Sequence, residues 1–177
     1  MEALLTPAPL LRPEMPPLVV NCLQVGMGQL KVGVRTDQLE AVLGSCVGIA
    51  FVWQKGGRCG LAHCLLPEAP EALAVLPESL VSARYVSHAV PALLRLMGAR
   101  EADYPDIEVV LAGGATMLDA RSSRLQVGQR NTDAAHKYLS RCGLNVSHCQ
   151  LGGRHGRTMR IDCAAQRVVV RNIRQTD

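Results

Sequence analysis

The chain reads as an α/β protein: a single mixed domain with largely antiparallel sheets and two main helices packed on them. Three observations predict this. Short aliphatic and β-branched runs recur between glycine- and proline-marked turns. Two longer stretches read as helices. A length of 177 residues provides for one real core and is too short for two ordinary domains. Hydrophobic residues at 48% and charged residues at 19% exclude a disordered or collagen-like chain. Aromatics are only 3%, so the core must be aliphatic.

Residues 1–17 hold five of the ten prolines and read as an N-terminal extension without a long helix, with the folded domain over 18–177. Leu18–Val25 reads as a strand, Gly26 to Gly28 as a turn and 29–34 as a short strand. Val47–Trp53 is a nearly unbroken apolar run, as expected of a strand buried on both faces. Lys55-Gly56-Gly57-Arg58 turns the chain and Cys59–Leu66 returns as a strand, ended by Pro67; the two form a hairpin. Residues 69–80 read as a loop with one helical turn.

Ser82–Met97 has helical spacing, with Val86, Val90, Leu93, Leu94 and Met97 on one side, a kink expected at Pro91 and a stop at Gly98. Ile107–Leu111 is a strand that exits at Gly113-Gly114. Asn131 or Thr132 is placed to cap a helix over Asp133–Arg141, which ends at Gly143. Strands follow at 145–151, 158–163 and 167–172. No internal repeat is evident.

The longest uncharged apolar-rich run, Val42 to Trp53, is shorter than the roughly 20 residues a membrane span needs. Glu2, Pro7 and Pro9 argue against a secretory leader. The seven cysteines (22, 46, 59, 64, 142, 149 and 163) are an odd set and read as thiols of a reducing cytoplasm. Charge is uneven. Residues 1–120 hold eight Lys+Arg against twelve Asp+Glu, and residues 121–177 hold eleven against three. A basic C-terminal third suits an acidic partner, although an ordinary solvated surface is the plainer reading. Tyr138 is the only aromatic of that stretch, and no zinc-finger or helix-turn-helix signature is visible. A nucleic-acid partner is therefore not expected.

Leu43-Gly44-Ser45-Cys46-Val47-Gly48 places a thiol after a Gly-Ser turn, at the edge of a buried strand. There it can face a cleft while its own N–H helps to stabilise an oxyanion. A small buried hydrophobe is the ordinary alternative. His63, in Gly60-Leu61-Ala62-His63-Cys64-Leu65-Leu66-Pro67, follows Cys46 by 17 positions. Folding 46–63 about its middle sets His63 opposite Cys46 in the hairpin, in register for a thiol–imidazole contact that raises the thiolate fraction.

A metal site is a minor reading. Cys59, His63 and Cys64, or Cys142, His148 and Cys149, have ligand chemistry without paired Cys-x-x-Cys spacing, and Cys64 should point away from Cys59 and His63. Gly152 to Arg157 resembles a phosphate loop only in composition and reads as a turn. Gly113-Gly114-Ala115 reads equally as a backbone nest or as a tight strand exit.

LGSCVGIAF, GLAHCLLP, VLAGGATM, VGQRNTDAAHKYL and LGGRHGRTMRID, in this order over roughly residues 25–172, resemble the chemoreceptor glutamine deamidase family, CheD. The resemblance implies a mixed α/β fold shared with a toxin that deamidates Rho-type GTPases. It implies hydrolysis of selected glutamines in the cytoplasmic helices of chemoreceptors, with Cys46 as nucleophile and His63 as catalytic histidine. It also implies CheC-type phosphatases as possible partners. Amide hydrolysis of this kind calls for no cofactor and no metal.

The sequence departs from the family at one point. The usual threonine five or six residues before the nucleophile is replaced by Ala41 and Glu40. Glu40 is a possible third member that orients the imidazole; a solvated strand-end charge is the plainer reading. A binding module that docks on receptors or on a phosphatase, with little catalysis, is the alternative function. A cysteine amidase for other protein glutamines is a third.

Overall fold

The computed structural model describes residues 20–73, 82–116 and 125–173. The proline-rich extension 1–17 lies outside the described residues. In chain order the elements are β1 (Asn21–Gln24), β2 (Leu30–Gly33), β3 (Asp37–Leu43), β4 (Val47–Trp53), β5 (Arg58–Cys64), α1 (Val86–Met97), β6 (Ile107–Gly113), α2 (Leu125–Arg141), β7 (Val146–Leu151), β8 (Arg157–Asp162) and β9 (Arg167–Asn172). Short 3-10 segments occupy Glu71–Leu73 and Glu101–Asp106.

Two sheets form, ordered β1-β3-β8-β9 and β2-β5-β4-β6-β7. The β1–β3 and β6–β7 pairs are parallel and the others antiparallel, in line with the expected mixed α/β fold. The five-stranded sheet is the middle layer. β4 shows why. Val47, Ile49 and Phe51 pack with α1 and α2 residues such as Val90, Leu93, Ala135 and Leu139. Ala50 and Val52 pack with Leu39, Ala41, Leu43, Met159 and Ile161 of the second sheet. A strand pressed on both faces has no solvent side, so its sequence shows no polar alternation. Each fully buried Leu or Phe gains about 1.5–3 kcal/mol over an exposed one.

α1 puts Val86, Ala89, Val90, Leu93, Leu94 and Met97 into the core and leaves Pro91 exposed. Gly98 stops it as expected, with the Gly98 and Ala99 N–H groups returning to Arg95 O and Leu94 O. Among the described residues no helix is long and apolar enough to cross a membrane.

Three expectations need correction. First, Asp37–Leu43 is a strand (β3), although no strand was expected there. Leu39, Ala41 and Leu43 are buried while Val42 is exposed, so the period is two, obscured by the charges of Asp37 and Glu40. Second, α2 runs from Leu125, so Asn131 and Thr132 lie inside it and do not cap it. The Thr132 hydroxyl donates back to Gln129 O at 2.7 Å, and the Asn131 amide reaches across the fold. From sequence alone, such residues inside a helix look like a cap. Third, the β4–β5 register differs. The turn occupies Gln54 to Gly57, with Gly57 N–H returning to Gln54 O at 3.1 Å. Trp53 therefore faces Arg58, and Gly48, not Cys46, faces His63. The slip is an even number of positions, so the side chains within β4 and β5 stay on their expected faces.

Candidate active site

Gly44, Ser45 and Cys46 carry the chain from β3 in one sheet to β4 in the other. Each of their three carbonyls is tied. Gly44 O accepts from Ala115 N–H at 2.8 Å, Ser45 O from Asn131 Nδ2 at 3.2 Å and Cys46 O from Gly114 N–H at 2.8 Å. A peptide unit is planar and trans, so pinning a carbonyl also sets the direction of the following N–H. The Gly114 and Ala115 N–H groups are therefore committed to this segment and do not form an open anion nest.

Gly113 allows the close approach. Its φ is +104°, and a Cβ there would lie 2.2 Å from Cys46 O. The glycine turn at 152–153 packs behind it, with Gly152 N–H on Gly113 O at 2.9 Å and Gly153 O receiving Thr116 N–H at 2.8 Å. This is the structural turn expected there.

Cys46 is half-buried. Burial pushes its thiol above the ordinary value, and its own backbone N–H, which favours the thiolate, opposes that only in part. At neutral pH the group is a thiol.

His63 is 3% exposed. β5 holds its backbone against the segment before β2: His63 N–H donates to Gln29 O, and His63 O accepts from Gly28 N–H, both at 2.9 Å. Its Nδ1 is 3.1 Å from Val25 O. A carbonyl only accepts, so Nδ1 carries the proton and Nε2 of the neutral ring carries the lone pair. Nε2 is buried and has no hydrogen-bond partner among the described residues. Burial pulls the imidazole below its ordinary value, with the Val25 carbonyl pulling the other way.

His63 faces Gly48 in the ladder, and Cys46 immediately precedes β4, so the two belong to adjoining strands; the expected thiol–imidazole contact is not made, and Nε2 has no hydrogen bond to the sulfur. Glu40 is not part of this group. The Arg160 guanidinium hydrogen-bonds its carboxylate and holds it below the usual range, and Gln24 Nε2 bonds it at 3.3 Å. It lies on the outer face of β3, opposite to Leu39 and Ala41, while Val25 O occupies the ring nitrogen that a third member would hold. The expectation that Glu40 orients the imidazole is corrected accordingly.

Two contributors were not expected from sequence. Val25 acts through a backbone carbonyl, which leaves no side-chain signature. Asn131 stands in the quoted QRNTD motif but reads there as a cap. Cys59 and Cys64 fall into different core clusters, on opposite faces of β5. Among the described residues no three His, Cys, Asp or Glu side chains are grouped to hold a metal ion.

The fold and site define a class: a helix-covered, two-sheet α/β domain with a thiol at a strand entry and a buried neutral imidazole on the adjoining strand. The family model described as CheD chemotactic sensory transduction matches residues 65–172, a stretch that begins two residues beyond His63. The chain is 40% identical over 139 residues to a probable chemoreceptor glutamine deamidase CheD of Bdellovibrio bacteriovorus, covering 77% of this chain and 86% of the relative. A protein of the same name from Methanococcus vannielii is 35% identical over 150 residues, covering 84% and 94%. A probable chemoreceptor glutamine deamidase CheD 2 from Ruegeria is 35% identical over 158 residues, covering 81% and 88%. The chain belongs to the CheD family.

Proposed function

We propose that the chain is a protein-glutamine deamidase acting in the cytoplasm on selected glutamines of chemoreceptors, with Cys46 as nucleophile and His63 as proton shuttle. The observation that carries this reading is the state of His63. With Nδ1–H donated to Val25 O, the lone pair of Nε2 is unpartnered at the end of the strand pair where Cys46 stands. Catalytic contacts in an unliganded site are often long and tighten when substrate binds.

His63 Nε2 takes the Cys46 proton as sulfur attacks the glutamine carboxamide carbon. The developing oxyanion is met by the Cys46 N–H. The imidazolium returns its proton to the departing nitrogen, ammonia leaves and a thioester remains. His63 then removes a proton from water as the hydroxide adds to the thioester carbon; the C–S bond breaks, the imidazolium returns that proton to the leaving sulfur, and the glutamate product is released with the thiol restored. Both groups start neutral, so the base works by accepting a proton during attack, without a standing thiolate–imidazolium pair.

The test is mass analysis of a recombinant receptor cytoplasmic fragment, which gains about one dalton per glutamine converted. Cys46→Ala and His63→Gln should each abolish conversion, and turnover retained in Cys46→Ala would remove the sulfur from the mechanism.

One observation favours a second reading, a binding module that docks on receptors or on a CheC-type phosphatase. Ala41 and Glu40 stand where the family usually has a threonine, and the Glu40 carboxylate is committed to Arg160 and Gln24. Receptor binding in the Cys46 variant, with no conversion by wild type, would favour that reading.

A further inference from the structure

Asn131 lies on α2, 86 positions after Ser45 and 66 after Leu65, remote in sequence from the candidate pair. It is fully buried, at 0% exposure. Its Nδ2 donates to Leu65 O at 2.8 Å and to Ser45 O at 3.2 Å. Both acceptors are carbonyls, so only the nitrogen end of the amide can face them, and an amide nitrogen has two hydrogens to give. Both are used. Leu65 O lies two residues past His63 and Ser45 O one residue before Cys46. One side chain therefore clasps the chain beside the imidazole to the chain beside the thiol.

The helix comes near enough because Gly128, one turn earlier on α2, packs on the β6 exit; a Cβ there would lie 2.6 Å from Gly114 O. The carbonyls of Gly44 and Cys46 are held by backbone N–H groups, and among the described residues that of Ser45 is held by Asn131. Ser45 C=O and Cys46 N–H belong to one peptide plane and point in opposite directions.

We propose that Asn131 is a positioning residue: by holding Ser45 O on the α2 side it turns the Cys46 N–H toward the reacting carbonyl, so that it serves as an oxyanion donor. This rests on the reading of Cys46 as nucleophile. Asn131 touches no reacting atom and acts through the Ser45–Cys46 peptide. The oxyanion exists only after attack, so the clasp matters in the transition state and little in substrate binding.

The experiment compares wild type, Asn131→Ser, Asn131→Asp and Cys46→Ala. Asn131→Asp keeps the shape but sets oxygen against two carbonyls. Asn131→Ser is too short to reach both and adds no charge. Each protein is checked for cooperative thermal unfolding. kcat and KM are then measured by mass on a receptor cytoplasmic fragment, and alkylation of Cys46 by iodoacetamide is followed at its own peptide. Displacement of iodide by sulfur forms no oxyanion, so it reports thiol access and ionisation without the donor.

The expected result is a fall in kcat of about 10- to 100-fold in the Asn131 variants, with KM and the alkylation rate within about twofold of wild type. Unchanged kcat would overturn the inference while leaving Cys46 as nucleophile. So would a parallel loss of turnover and alkylation, which means a collapsed segment, or failure of both variants to fold. Conversion that survives in Cys46→Ala, or a wild type that converts nothing, overturns the underlying reading instead.

Discussion

The His63 imidazole is anchored at Nδ1 by the backbone carbonyl of Val25, 3.1 Å away. Val25 is held in turn, its N–H donating to Glu40 O at 2.7 Å. The ring is therefore oriented through main chain that β3 fixes, and Glu40 contributes its carbonyl to this chain of contacts, not its carboxylate. A carbonyl sets the tautomer as a carboxylate would, but it brings no full negative charge to stabilise an imidazolium. Burial dominates as a result, and the ring rests neutral.

The pH dependence follows from that. The protonated ring cannot accept the thiol proton, so kcat/KM should rise as His63 deprotonates. Burial lowers the imidazole pKa, so the acid limb should lie below the ordinary value of about 6.5. The Cys46 thiol is raised, so no second ionisation should appear before the ordinary thiol range. A profile of kcat/KM against pH, read by ammonia release, checks both limbs. An acid midpoint above the ordinary imidazole value would mean that a charge, not burial, governs the ring.

Glu40→Gln separates the carboxylate from the carbonyl. Turnover should stay within about twofold, because the side chain faces Arg160 on the outer face. Stability should fall by about 0–1 kcal/mol at neutral pH, as for an exposed ion pair. The carboxyl pKa is lowered in the folded state, so this contribution is present above the unfolded value and disappears as pH falls through the folded one. Urea denaturation at neutral and acid pH should show the two proteins converging in acid. A tenfold loss of turnover would return Glu40 to the reaction.

The layers and most strands were legible in the sequence because burial writes itself into composition. Val47–Trp53 is apolar throughout since helices cover one face and a sheet the other. The α1 stripe from Val86 to Met97 was legible for the same reason. Asp37–Leu43 was hidden because one of its faces carries charge. The position of the hairpin turn was not legible, since Gln54 through Gly57 offers more than one centre to a chain rich in glycine. Cys46 and His63 stand out in the sequence by residue type and spacing, and their catalytic roles are proposals. Val25 and Asn131 do not stand out, as one acts through its backbone and the other through a contact across 66 and 86 positions.

The basic C-terminal third has a kinetic consequence. Arg154, Arg167 and Arg171 are exposed in the fold. If the substrate is a Glu/Gln-rich receptor helix, these charges speed encounter, and salt screens them beyond a Debye length of about 10 Å at 0.1 M. Raising salt from about 0.05 to 0.5 M should lower kcat/KM severalfold for a receptor fragment, leave kcat unchanged, and have little effect on a neutral glutamine peptide. Equal salt sensitivity for both substrates would show that the effect is on the enzyme and not on encounter.

Gly113→Ala tests how the Cys46 segment is held. At φ +104° an alanine is strained by about 1–3 kcal/mol. Its Cβ would also lie 2.2 Å from Cys46 O, a backbone atom that cannot swing aside as a side chain would. Relief requires breaking the 2.8 Å bond from Gly114 N–H to Cys46 O, which fixes the thiol-bearing residue. Gly57→Ala is the control. Its φ is +63° and a Cβ there meets nothing within 4 Å, so it carries the conformational cost without the collision. Gly57→Ala should cost about 1 kcal/mol and keep full turnover. Gly113→Ala should cost about 3 kcal/mol or more by urea denaturation, and its folded fraction should lose turnover at least tenfold. Similar stability and turnover in the two variants would mean that β6 does not hold Cys46 in place.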